Sequence, residues 1–193
     1  MLDLDTLLQE AAAAHGHLCP GQVLGVRMAL AGCRALGIDE PRGDKRLLVY
    51  VEIDRCAVDA ISSVTGCRLG KRTLKHVDYG KQAATFVNLA SGRAVRVAAR
   101  ESARERAAVY SAGMAGADRY AVQTQAYLAM PDDELLTVRE VKLLVPQEDR
   151  PGPPCSRVCC AVCGEGVNDR REVRENGRVL CRACAGGAYY AAV

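Results

Sequence analysis

Two short segments of this 193-residue chain gather the side chains best suited to hold a metal ion. Near the C-terminus, Cys160-Ala-Val-Cys163 and Cys181-Arg-Ala-Cys184 form two CxxC pairs separated by 17 residues. A CxxC turn presents two sulfurs to one ion at about 2.3 Å each, and four thiolates close a tetrahedral zinc site with no open position. The spacing therefore predicts a structural zinc ribbon in which 170–179 turns back at Asn176-Gly177 and returns the second pair to the first. So small a module buries too little apolar area to fold unaided, and zinc supplies on the order of 10 kcal/mol or more in comparable peptides. Cys159 adjoins the first pair, but only Cys160 gives the two-residue gap. Cys159 could still substitute for Cys160, while Cys155 reads as unligated.

The second segment is His15-Gly-His17-Leu-Cys19-Pro-Gly21. His15, His17 and Cys19 alternate at i, i+2 and i+4, so an extended backbone projects all three to one side. Imidazole with thiolate suits zinc or another borderline transition metal. Pro20 fits the first turn of a helix, which puts Cys19 at a helix N-terminus, where partial positive charge favours thiolate. Cys56, behind Asp54, is placed in the same way and becomes a fourth ligand if the strand before it runs beside that helix. The same spacing also suits histidines that cap a helix and cysteines that serve as small core residues. Cys33 lies in an apolar helical stripe and reads as core. Cys67 sits in a glycine-flanked loop, where a plain turn and a ligand site remain equal readings.

The elements that would carry these residues follow from periodicity. Leu4, Leu7, Leu8 and Ala11 mark a first helix, with Asp3 or Asp5 as cap and its end near Gly16; Val23, Val26 and Leu30 mark a second, running to Gly37. A buried strand is expected at 47–53, then a helix at 56–64 capped by Asp54 and closed by Gly66. Strands follow at 74–79, 83–89 and 94–99, the last two joined as a hairpin through Ser91-Gly92. Helices at 101–114 and 118–129 and a strand at 137–145 complete an α+β domain with an antiparallel pairing. Four prolines and a glycine within 146–154 mark a semi-rigid linker. The expected organisation is a core domain over 1–145, a linker over 146–158, and a zinc ribbon with tail over 159–193.

Composition adds limits. The chain is 49% hydrophobic but 4% aromatic, with one Phe and no Trp, so its core rests on Ala, Val, Leu and Ile. A net charge of +3 is too balanced to indicate nucleic acid or a membrane surface. No apolar run reaches a membrane span, and the acidic start lacks the basic front of a secretion signal, which makes the cytoplasm the default location. Cysteines stay reduced there and read as metal ligands or reactive thiols rather than disulfides.

The stretch His15-Gly-His-Leu-Cys-Pro-Gly-Gln-Val-Leu-Gly-Val-Arg27 resembles the signature of the E-subunit family of formylmethanofuran dehydrogenase. Glu52-Ile-Asp-Arg-Cys56-Ala-Val-Asp-Ala-Ile61, Val64-Thr-Gly-Cys-Arg-Leu-Gly-Lys71, Asp78-Tyr-Gly-Lys81 and Ala84-Thr-Phe86 resemble further blocks of it, and together they cover most of residues 15–90. The resemblance implies an α+β core, a homodimer with room for a larger enzyme complex, and a metal-binding cavity onto which His17, Cys19 and Cys56 map, with His15 beside them. It implies no demonstrated reaction, and an accessory or metal-handling role linked to molybdenum or tungsten enzymes is as consistent with it as catalysis. Arg72-Thr73 departs from the family, whose members tend to carry Gly-Asn there. The ribbon also resembles the four-cysteine finger of bacterial regulators that bind RNA polymerase, which leaves open a regulatory or scaffolding module contacting protein or nucleic acid.

Overall fold

The apolar stripe at the start of the chain forms α1 (Leu4–His15), which buries Leu7, Leu8 and Ala11 and ends at Gly16. Pro20 then opens α2 (Pro20–Ala35), whose Val23, Val26 and Met28 are almost wholly buried. The computed structural model describes residues 3–111, 113, 114 and 116–191. The chain divides into two compact units, Met1–Leu143 and Leu144–Val193.

In the first unit, β1 (Leu47–Val51), β2 (Leu74–His76), β3 (Ala83–Asn88), β4 (Ala94–Ala99) and β5 (Leu136–Val141) form one sheet in the order β2-β1-β3-β4-β5. Antiparallel pairing joins β1 to β3, β3 to β4 and β4 to β5, with Val49 opposite Phe86 and Phe86 opposite Val95. The β1–β2 pair is parallel. A parallel pair needs a crossover, and α3 (Ala57–Thr65) supplies it. The architecture is the expected α+β mixture, antiparallel in the main.

Close packing of α2 sets the geometry of everything near the histidines. A Cβ on Gly25 would lie 2.6 Å from the Ala60 Cβ and 2.8 Å from the Ala57 Cα, and would also overlap the Ala57 carbonyl oxygen. A Cβ on Gly32 would enter the ring of Phe86, the only phenylalanine in the sequence, at 2.6 Å from its Cγ. Missing side chains on α2 therefore let α3 approach on one side and the sheet on the other, closer than any other residue allows.

Arg27, also on α2 and 8% exposed, fixes a third neighbour. Its guanidinium donates to the Tyr127 and Met130 carbonyls at 2.6 and 2.5 Å and to the Asp132 carboxylate at 2.5 and 3.1 Å. Those carbonyls belong to the C-terminal end of α6 (Arg119–Ala129) and the residue after it, where a helix has no internal donors left. Asp132 opens the short α7 (Asp132–Leu135). The buried charge is thus satisfied, and α6 is tied to α2.

Several local expectations change. The helix expected over 101–114 is two short pieces, α4 (Glu101–Glu105) and α5 (Ala107–Tyr110), and residues 112 and 115 lie outside the described residues. Its buried face consists of the methyls of Ala103 and Ala107, and Arg106 between the pieces pairs with Glu134 at 2.7 Å. Asp54 does not cap α3; Cys56 holds the N-cap position without a side-chain bond. The last strand of the unit ends at Val141 rather than 145. Within the second unit, β6 (Arg157–Cys159) begins inside the segment expected as linker and pairs with β7 (Gly166–Asn168), while β8 (Val173–Glu175) and β9 (Arg178–Leu180) form the hairpin expected at Asn176-Gly177. Both turn residues have positive φ, 50° and 76°, as a two-residue hairpin of matching twist requires.

Gly25→Ala should destabilise the protein by about 1–3 kcal/mol, the usual cost of overpacking, read as a lower urea midpoint with an unchanged slope. An unaltered midpoint would show that α2 and α3 can move apart freely.

Candidate metal centres

In the second unit the four cysteines of the two CxxC pairs meet. The Sγ atoms of Cys160, Cys163, Cys181 and Cys184 all lie within 4.8 Å of one another, and Cys163 and Cys181 are 3.9 Å apart. Tetrahedral zinc–sulfur bonds of about 2.3 Å imply sulfurs about 3.8 Å apart, so this set fits zinc without rearrangement. Main-chain amides point at the sulfurs: Val162 N–H donates to Cys160 Sγ at 3.5 Å and Cys184 N–H to Cys181 Sγ at 3.3 Å. Ala161 N–H donates to the Val179 carbonyl at 2.8 Å, which ties the first knuckle to β9. Cys155 and Cys159 stand outside the set; Cys159 is an exposed residue opposite Gly166, whereas Cys160 is buried.

The thiols are strongly unequal. Amides of Cys163, then Cys181 and Val162, hold the Cys160 thiol down to about 6, while its neighbours, Cys181 first, push Cys184 up to about 12. Four sulfurs crowded together with amide donors around them are stable as thiolates only beside a cation, and a zinc ion supplies that charge.

In the first unit, the donor atoms of His15, His17 and Cys19 also lie within 4.8 Å of one another. The His15 and His17 rings are 5.0 Å apart between centroids. His15 Nδ1 faces Asp59 Oδ2 at 2.8 Å, so Nδ1 donates its proton to the carboxylate and Nε2 is the ring nitrogen that can meet an ion. This carboxylate-to-imidazole arrangement fixes the tautomer of metal-binding histidines. Cys56 falls outside that compact triad, but its thiol adjoins that of Cys19 across Gly21, where a Cβ would lie 2.9 Å from Cys56 Cβ and 3.7 Å from Cys19 Sγ. Burial raises the Cys56 thiol, and a hydrogen bond shared with Cys19 raises it further. A raised thiol is a poor free nucleophile and a ready ligand once a cation displaces its proton. The buried Gln22 side chain donates to the Cys56 carbonyl at 2.6 Å and ties the start of α3 to the start of α2.

The cluster opens onto a cavity of about 780 Å³ lined by His17, Cys19 and Cys56 on one side and by Tyr120, Gln123 and Thr124 of α6 on the other. Cys33 and Cys67 are buried elsewhere in the unit; burial first, then the neighbouring Cys67, pushes Cys33 up to about 12, which suits inert core residues. Spacing alone does not single out Asp59 or Gln22, although both stand inside segments rich in candidate ligands. Their roles depend on partners 44 and 34 residues away.

Residues 14–137 match the family described as "FmdE, Molybdenum formylmethanofuran dehydrogenase operon", a span that includes His15, His17, Cys19 and Cys56. The chain belongs to this family. Residues 156–190 of this FmdE-family chain match the prokaryotic dksA/traR C4-type zinc finger, which accounts for the four-cysteine set. A curated relative from Archaeoglobus fulgidus, a "Probable S-adenosyl-L-methionine-binding protein", is 38% identical over 97 residues. Those are 49% of this chain and 26% of the relative, so the chain spans about a quarter of that protein's length. The crystal structure of an FmdE-like protein of the tungsten formylmethanofuran dehydrogenase type, from Syntrophus aciditrophicus, shares the fold, with a TM-score of 0.63 at 21% identity over 98% of this chain and 96% of that one. No helix among the described residues is long and apolar enough to cross a membrane.

Chelating the zinc of reduced protein should unfold the ribbon while the larger unit stays folded, read as loss of amide-exchange protection confined to residues 144–193, and Cys160→Ser should produce the same loss without a chelator. Protection in the ribbon that survives chelation would show that its hairpins hold without the ion.

Proposed function

We propose that this FmdE-family chain carries two metal ions of different character, a structural zinc in the ribbon and a second, exchangeable transition metal in the larger unit. Cys19, Cys56 and His17 hold the second ion, with His15 beside them and oriented by Asp59. The observation that carries this reading is the convergence of the His15, His17 and Cys19 donor atoms within 4.8 Å, with the Cys56 thiol adjoining Cys19. Mixed imidazole and thiolate donors suit zinc and its borderline neighbours rather than magnesium or calcium. Unlike the ribbon set, this cluster borders an open cavity, so a small molecule can reach it. Its role is then metal handling or accessory service to a molybdenum or tungsten enzyme, a reading supported by membership of the FmdE family and by the likeness to the Syntrophus fold.

The dksA/traR match favours a second reading, in which the ribbon is a regulatory or scaffolding contact for protein or nucleic acid and the larger unit needs no ion. Metal content separates the two. Element analysis of untagged, reduced protein should find two ions per chain, with Cys19→Ser keeping the ribbon ion and losing the other. A count of one in wild type, unchanged by Cys19→Ser, would favour the regulator.

A further inference from the structure

Beside the thiols, the groove becomes cationic. A cavity of about 390 Å³ continues from the one at Cys19, sharing Pro20, Gly21, Cys56, Tyr120 and Gln123 with it. It is lined by Arg55 just before α3, Arg100 at the N-cap of α4, Arg104 on α4 and Arg119 on α6, with Glu101 as the single carboxylate among its lining residues. Elsewhere in the unit, Arg27, Arg42, Arg46, Arg93, Arg96 and Arg106 each pair with a carboxylate. Arg55, Arg104 and Arg119 have no side-chain ion pair or hydrogen bond among the described residues. Arg100 spends only its Nε, on the Leu136 carbonyl at 3.0 Å, which steadies the side chain and leaves its terminal nitrogens to the groove.

Guanidinium groups brought together from three separate stretches of the chain repel one another, and folding gains nothing from collecting them unless an anion joins them. Their forked donors match phosphate oxygens in pairs. The N-termini of α2 and α3 open on the same space and add partial positive charge of the same sign.

We propose that this groove binds a phosphate-bearing small molecule, its phosphate held by Arg55, Arg100, Arg104 and Arg119 and its other end directed to Cys19 and Cys56. The proposal deepens the metal-site reading and takes from it only what meets the far end of the ligand. Arg55 and Cys56 are consecutive and both line this cavity, so a ligand whose phosphate rests on the arginines can present its other end to the thiols. Several guanidinium groups around one carboxylate favour a multiply charged phosphate over a single carboxylate.

Inorganic pyrophosphate is the probe, titrated calorimetrically into the full, metal-loaded chain, with succinate as a dianionic carboxylate for comparison. Pyrophosphate should bind, more weakly as salt rises, and Arg104→Gln/Arg119→Gln should weaken it by about tenfold or more, as expected for losing charge-assisted bonds. Both arginines are exposed, so the thermal midpoint should hold; Arg55→Gln, on the opposite wall, provides an independent variant with the same expected direction. None of these arginines is a metal ligand, so a failed metal site shows in element analysis and a failed anion site in calorimetry. Affinity unchanged in both variants, as when pyrophosphate merely coordinates the ion, overturns the proposal. So does succinate binding as tightly as pyrophosphate, or no binding of pyrophosphate at millimolar concentration.

Discussion

Everything at the candidate centre of the larger unit depends on how closely α2 can lie against α3. Gly21 and Gly25 leave out the Cβ atoms that would strike Cys56, Ala57 and Ala60, and the two helix starts come together as a result. Cys19 and Cys56 occupy the N-cap positions of those two helices, so the distance between their thiols is set by backbone contact rather than by flexible side chains. Gln22 adds a hydrogen bond across the same junction. A site built this way is held by rigid elements, which is what a fixed ligand geometry needs.

The same helix carries the opposite wall. Arg27 lies about two turns further along α2 and satisfies the exposed carbonyl end of α6, so the residues of α6 that border the cavity are positioned by a buried charge. Removing Arg27 would take the buried donor from the Tyr127 and Met130 carbonyls, whereas Asp132, 45% exposed, stays solvated without its partner. That asymmetry makes Arg27 and Asp132 a device for placing α6, whatever their net effect on stability.

Local order was legible in the sequence wherever one segment decides it. The CxxC pairs, the Asn176-Gly177 turn, Pro20 at the start of α2 and Gly66 at the end of α3 each act within a few residues, and the elements followed. What could not be read were outcomes set by distant partners. The parallel β1–β2 pairing and the order β2-β1-β3-β4-β5 depend on where α3 packs, and Asp59 reaches His15 only because α1 and α3 are neighbours. Asp54 had the right chemistry for a cap, yet the chain enters α3 two residues later, at Cys56. The 101–114 segment had helical composition, but among its described residues only Ala103, Ala107 and Ser111 are buried, and propensity with so small a packed face did not sustain one helix.

The two cysteine sites differ in what surrounds them, and that difference separates their chemistry. In the ribbon, main-chain amides supply hydrogen bonds to sulfur and the four thiols supply every ligand a zinc ion takes, so nothing is left to react. At Cys19 and Cys56 two thiols adjoin under partial burial, imidazoles stand on one side, and an open groove stands on the other. An ion held there would have neither a complete shell of protein sulfurs nor an enclosing set of amides, and would meet whatever enters the groove. The arginines of the adjoining cavity would give that groove a positive sign, so an entering anion would be drawn in and oriented beside the thiols. The arrangement suits a site that exchanges its contents, while the ribbon suits one that keeps them.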